Sequence, residues 1–200
     1  MTTAIRWRIL TLQIVAIAVL AVTAGVGFWA HSFTHDQVSS QLSAQQIVFP
    51  PANSAAIKAL PATDAAAMRQ YAGQTMTTGD QAKVWANNFI GVHLKEIGQG
   101  KTYAYWSGKA LAEQASNPKQ YTIDEGVAMT LFRGEMLRSS LLNAWAFWFV
   151  GELALYAAIA LLAGAGVVFL AFLYELVMAP RREGVVALKG RTSVGAISAE

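Results

Sequence analysis

Two long uncharged runs bracket a segment of mixed polarity. Ile9–Ala30 and Leu153–Tyr174 each hold 22 residues without a charge. At 1.5 Å per residue, a helix of that length crosses a hydrocarbon core of about 30 Å. Around the second run, apolar character extends from Leu141 to Pro180, with Glu152 and Glu175 as the only charged residues inside it. Thr122-Ile-Asp-Glu125 has the spacing of a capping box, and no proline falls between it and Pro180. One helix is therefore predicted to run from the central segment through the second span.

The central segment reads as helical. The first helix is expected to continue past Ala30 through His35 and Val38 to Gln46, and Phe49-Pro50-Pro51 ends it, because a prolyl ring disfavours helical geometry in the residue before it. A loop runs to Pro61, with a short turn at Ala55 to Leu60. A helix is expected from Asp64 to Tyr71, with Gly73 beyond it. Thr78-Gly-Asp-Gln81 again fits a capping box. It opens a stripe at helical spacing: Ala82, Trp85, Ala86, Phe89, Ile90, His93 and Ile97, stopped by Gly98 and Gly100. Lys101 to Gln114 predicts another helix bearing Tyr103, Tyr105 and Trp106. Asn117-Pro118 reads as a turn. No stretch alternates strongly with the period of two that a half-buried strand requires.

The fold class expected is an all-α membrane protein, with two transmembrane helices flanking an extracytoplasmic helical domain. Its parts are a basic head (1–8), a first span (9–30), the outer domain (31–145), a second span (146–179) and a tail (180–200) expected to be disordered. Charge sets the orientation. Arg6 and Arg8 precede the first span; Arg181, Arg182, Lys189 and Arg191 follow the second. The positive-inside rule then places both termini in the cytoplasm and the chain in the plasma membrane. Ala21-Val-Thr-Ala24 offers small residues for signal cleavage, but the first run exceeds the 7–15 residues of a signal core, so an uncleaved anchor is expected. The central segment is nearly neutral, which leaves no basic face for nucleic acid. Cysteine is absent, so disulfides and thiolate chemistry are excluded.

Few residues suggest chemistry. His31 and His35 stand four apart with Asp36 adjacent. On a helix, two imidazoles at that spacing share a face and suit Zn²⁺ or Cu²⁺, with Asp36 as a further ligand. His93 lies on the apolar stripe, where a hydrogen-bonded core histidine is the expected role. Glu152 is an ionisable group at the edge of a span, a candidate for proton transfer or for pairing with a partner. Glu175 is expected to pair locally with Arg181 or Arg182. Arg133, Glu135 and Arg138 cluster before the second span: Glu135 and Arg138 suit an intrahelical pair, and Arg133 a lipid phosphate or a carboxylate. Trp145, Phe147 and Trp148 suit an interfacial aromatic belt. Ala21 with Gly25, and Ala160 with Gly164, have the small-xxx-small spacing of packed spans.

The motifs Thr78-Gly-Asp-Gln-Ala82, Phe89-Ile-Gly-Val-His-Leu94, Gly100-Lys-Thr-Tyr103, Leu131-Phe-Arg-Gly-Glu-Met-Leu-Arg138 and Leu141-Leu-Asn-Ala144 occur together. Through them the chain resembles a group of two-span actinobacterial membrane proteins, over roughly Ile9 to Pro180. Some members are labelled aromatic ring-opening dioxygenases. A non-haem iron site for that chemistry needs two histidines and a carboxylate around open positions, and three scattered histidines do not supply it. The resemblance implies architecture and no activity.

No phosphate-binding glycine loop, nucleophile elbow, zinc-protease motif or haem-attachment motif is present. Enzymatic function is left open by this and not favoured. The function expected is a non-catalytic accessory or assembly subunit of a larger envelope complex. Its partners would be membrane lipids, other integral membrane proteins or a second copy of the chain. The alternatives are an outer sensor or ligand-binding module, and a metal-binding protein using His31, His35 and Asp36. A deep pocket lined by Trp85, Phe89, Tyr103 and Trp106 would favour the sensor, and a filled core would oppose it.

Overall fold

The computed structural model describes residues 3–177. The expected tail, and the basic residues Arg181, Arg182, Lys189 and Arg191, lie outside them. All the regular elements described are helical: α1 (Thr3–Ala44), α2 (Ala55–Lys58), α3 (Ala62–Arg69), α4 (Gly79–Val84), a π-helical segment (Trp85–Ile90), α5 (Gly91–Ile97), α6 (Tyr103–Glu113) and α7 (Pro118–Val177). An isolated antiparallel bridge joins Val48 to Thr75. The chain divides into two compact units. One is a helical domain, Ser32–Glu152. The other pairs the stretch of α1 up to His31 with the stretch of α7 from Leu153.

By length and composition, α1 and α7 are each long and apolar enough to cross a membrane, and their most apolar stretches are only 11% buried. Their contact runs along small residues. Ala24 and Ala158 are fully buried, and a Cβ on Gly27 would lie 2.9 Å from Ala158 Cβ. Near the end of α7, Arg6 Nη2 donates to the Glu175 carbonyl at 3.1 Å and to the Leu176 carbonyl at 3.4 Å. A cation is thereby placed where a helix leaves its last carbonyls unpaired.

The helical domain folds around Phe49. The chain leaves α1 through Gln46, whose φ of 53° turns it back. Backbone bonds then hold Phe49 in place: its N–H donates to Gln74 O at 2.9 Å, and Gly73 N–H donates to Phe49 O at 3.0 Å. Its ring meets Trp85 edge-on at 5.0 Å. Val38, Leu42, Ile57, Met68, Met76, Ala82, Ala86 and Leu141 complete this core. A second cluster joins Leu94, Trp106, Ala128 and Leu131.

Local signals explain most boundaries. Ser54 caps α2, Thr102 caps α6, and Thr78 with Gln81 forms the full reciprocal capping box of α4. Two expectations need correction. The last helix begins at Pro118, not Thr122. Proline suits the first helical position, Asn117 Oδ1 accepts from Gln120 N–H at 3.3 Å, and the Thr122 hydroxyl donates back to Pro118 O at 3.0 Å. The stripe after Thr78 also fails at its far end. A π turn holds one more residue than an α turn, so the inward face moves on by one position. Leu94 and Gly98 are buried where His93 and Ile97 were expected, and Ile97 is 42% exposed. Gly134 on α7 receives Leu94: a Cβ there would lie 3.1 Å from Leu94 Cγ and closer still to both its methyls.

Candidate functional site

The π-helical segment sits at the hub of the domain, and its two adjacent amides point to different neighbours. Asn88 Nδ2 donates to Asp64 Oδ1 of α3 at 2.7 Å, while Asn87 Oδ1 accepts from Arg138 Nη2 of α7 at 3.0 Å. Arg138 Nη1 also reaches Glu135 Oε2 at 3.3 Å, the i, i+3 pair expected from the sequence. Arg133 points to solvent on another side of α7. The three charges therefore separate: Arg138 is built into the fold, Glu135 is its partner, and Arg133 is left exposed.

The end of the domain formed by α1 and the 148–152 stretch of α7 holds a second polar group. His35 Nε2 lies 3.3 Å from Glu152 Oε1, with side chains 16% and 31% exposed. The His35 ring stacks on Trp148 at 3.6 Å between centroids. Gly151 makes this approach possible, since a Cβ there would lie 2.8 Å from His35 Cδ2 and nearer still to Thr34 Oγ1. A fixed imidazole against a carboxylate can share a proton or ligate a cation. Asp36, one residue on, is exposed. His31 precedes His35 by one turn of α1. Sequence reasoning singled out both His35 and Glu152 but did not pair them, because 117 positions separate them and only the packing of α1 on α7 joins them.

His93 Nδ1 stands 2.7 Å from Phe89 O. A carbonyl can only accept, so this nitrogen carries the proton and the ring is a hydrogen-bonded structural histidine. Trp85 and Phe89 pack on each other at 4.7 Å and against the first core. Trp106 is buried in the second and donates Nε1–H to Gly98 O at 2.9 Å, whereas Tyr103 lies at the surface against Phe132. Three of these four aromatics fill core, and Tyr103 stands apart from them at the surface.

Sequence reasoning passed over Asp124. It is fully buried on α7, and Lys109 Nζ of α6 lies 3.2 Å from one carboxylate oxygen and 3.3 Å from the other, which also accepts from Gln120 Nε2 at 2.9 Å. The available signal was an acid four residues after Gln120 on a helix opposite a lysine-bearing one. It was masked by reading Thr122–Glu125 as a cap.

In the helix-pair unit, the predicted small-residue pairs are not the close approach. Ala21, Gly25 and Ala160 are exposed, nothing lies within 4 Å of a Cβ on Gly25, and Gly164 meets only Leu20 Cδ1 at 4.0 Å. The approach uses Ala24, Gly27 and Ala158 instead. No family model, no curated protein and no solved structure matches the chain.

Proposed function

We propose that this chain is a two-span membrane protein whose helical domain lies outside the cytoplasm, and that it serves as a non-catalytic accessory or assembly subunit of a larger membrane complex. The apolar surface of the helix pair carries the reading. Nearly nine-tenths of each most apolar stretch is unburied, with Val22, Trp29, Tyr156, Val167 and Leu170 all more than 60% exposed. Water does not tolerate a surface of that kind, whereas lipid or a partner's helix does. The small residues left open at Ala21, Gly25 and Ala160 suit a helix that arrives from elsewhere. The filled aromatic core weighs against a sensor built on Trp85, Phe89 and Trp106.

The absence of cysteine makes the topology directly testable. Single cysteines at Gln45, in the domain, and at Thr3 should be labelled by an impermeant maleimide from opposite sides of the membrane. Mild detergent extraction and size exclusion then test the role. A stoichiometric membrane-protein partner is expected, and a clean monomer or homo-oligomer would sink the accessory-subunit reading.

The His35–Glu152 pair favours a second reading, in which Zn²⁺ or Cu²⁺ is held by these two side chains. One histidine and one carboxylate leave coordination positions open for water or a partner's side chains.

A further inference from the structure

A cavity of about 400 Å³ opens where α5, the loop leading into α6, and α7 meet. Its volume falls in the range of small-molecule sites, and its wall is strongly biased in charge. Lys95, Lys101 and Arg138 line it against one carboxylate, Glu135. Three features go beyond a scatter of surface charge. First, the Arg138 guanidinium is fixed, with Nη1 and Nη2 committed to Glu135 and Asn87. Its Nε, by contrast, is buried without a hydrogen-bond partner. Such a donor costs free energy unless something accepts from it.

Second, Gly91, which also lines the cavity, adds no side chain beside the guanidinium: a Cβ there would stand 3.5 Å from Nε. Third, Tyr103 and Ala104, the first residues of the 11-residue α6, form part of the wall. Thr102 Oγ1 caps the Tyr105 N–H, while the N–H groups of Tyr103 and Ala104 have no acceptor within their own helix. Lysines, a fixed guanidinium and unpaired first-turn amides together describe a receptor for a tetrahedral oxyanion.

We propose that this cavity binds a phosphoryl group carried on a small soluble molecule, with Arg138, Lys95 and Lys101 as its cationic contacts and the opening turn of α6 donating backbone N–H groups. A phosphoryl group could also come from a lipid. The preference for a soluble source rests on the two-span reading: with the span beginning at 146, Arg138 precedes it by about 12 Å of helix, beyond a headgroup layer of roughly 5–8 Å.

The test uses the full chain in detergent, with inorganic phosphate and glycerol 3-phosphate as probes in isothermal titration. Saturable one-to-one binding is expected. It should weaken roughly tenfold or more in Lys95→Gln/Lys101→Gln and tighten several-fold in Glu135→Gln, which removes the one repelling charge. Because Glu135 is 52% exposed and Asn87 still holds Arg138 Nη2 once that carboxylate is neutralised, Glu135→Gln keeps the proposal testable if the double variant fails to fold. Absence of saturable binding to either probe up to about 20 mM would overturn the proposal. So would affinity unchanged in the lysine variants, or an unchanged or weakened affinity in Glu135→Gln. Binding confined to vesicles containing phosphatidylglycerol, with none of the soluble probes retained, would also overturn it.

Discussion

Lys109 and Asp124 should respond unequally to removal, although they form one ion pair. Asp124 has a side chain 1% exposed, whereas that of Lys109 is 37% exposed. Replacing Lys109 by Met leaves a carboxylate in the interior with only the Gln120 amide as partner. An unpaired buried charge of this kind costs about 3–5 kcal/mol. Replacing Asp124 by Asn leaves an ammonium that can turn to water while its stem stays near the Trp106 ring, 5.0 Å from Nζ. The loss is then that of one partly screened, charge-assisted bond, about 1–2 kcal/mol. At roughly 2–4 °C per kcal/mol for a chain of this size, Lys109→Met should lower the melting midpoint by about 6–20 °C and Asp124→Asn by about 2–8 °C. The double variant should cost less than the sum of the two, since neither unpaired charge remains. Denaturant or thermal unfolding in detergent, followed by tryptophan fluorescence, measures all three. Equal losses, or a larger loss for Asp124→Asn, would refute the argument that burial asymmetry decides the cost.

Gly134→Ala should destabilise the domain by about 1–3 kcal/mol through overpacking against Leu94, and adding Leu94→Ala should relieve the clash; a denaturant midpoint unmoved by the single change would contradict this. Thr78→Ala removes the side-chain half of the α4 capping box and should cost about 1 kcal/mol in the same assay. Under the metal reading, elemental analysis after dialysis against Zn²⁺ should find one ion per chain, lost in His35→Ala and in Glu152→Gln. An unchanged metal content in both variants would end that reading. Gly151→Val should push His35 off Trp148 and shift the tryptophan emission, and a spectrum identical to wild type would argue against the close approach.

The sequence by itself determined what local chemistry controls. The two apolar runs, the helical end at Gly98, and the cap at Thr78 are written in side chains within a turn or two of where they act. The Glu135–Arg138 pair was legible for the same reason, being three residues apart on one helix. The π segment was not legible: Trp85–Ile90 carries no residue that demands it, and in the fold its Asn87 and Asn88 are tied to α7 and α3. That extra residue per turn is why Leu94 is buried and Ile97 is not. Only tertiary packing chose among glycines of equal spacing, opening Gly25 to the outside and closing Gly27 on Ala158. It also decided which polar groups met, setting His35 against Glu152 and Lys109 against Asp124. Periodicity shows which face of a helix is apolar; it does not show which helix comes to cover it, because that depends on how the loops return the chain and on which side chains interlock when it arrives.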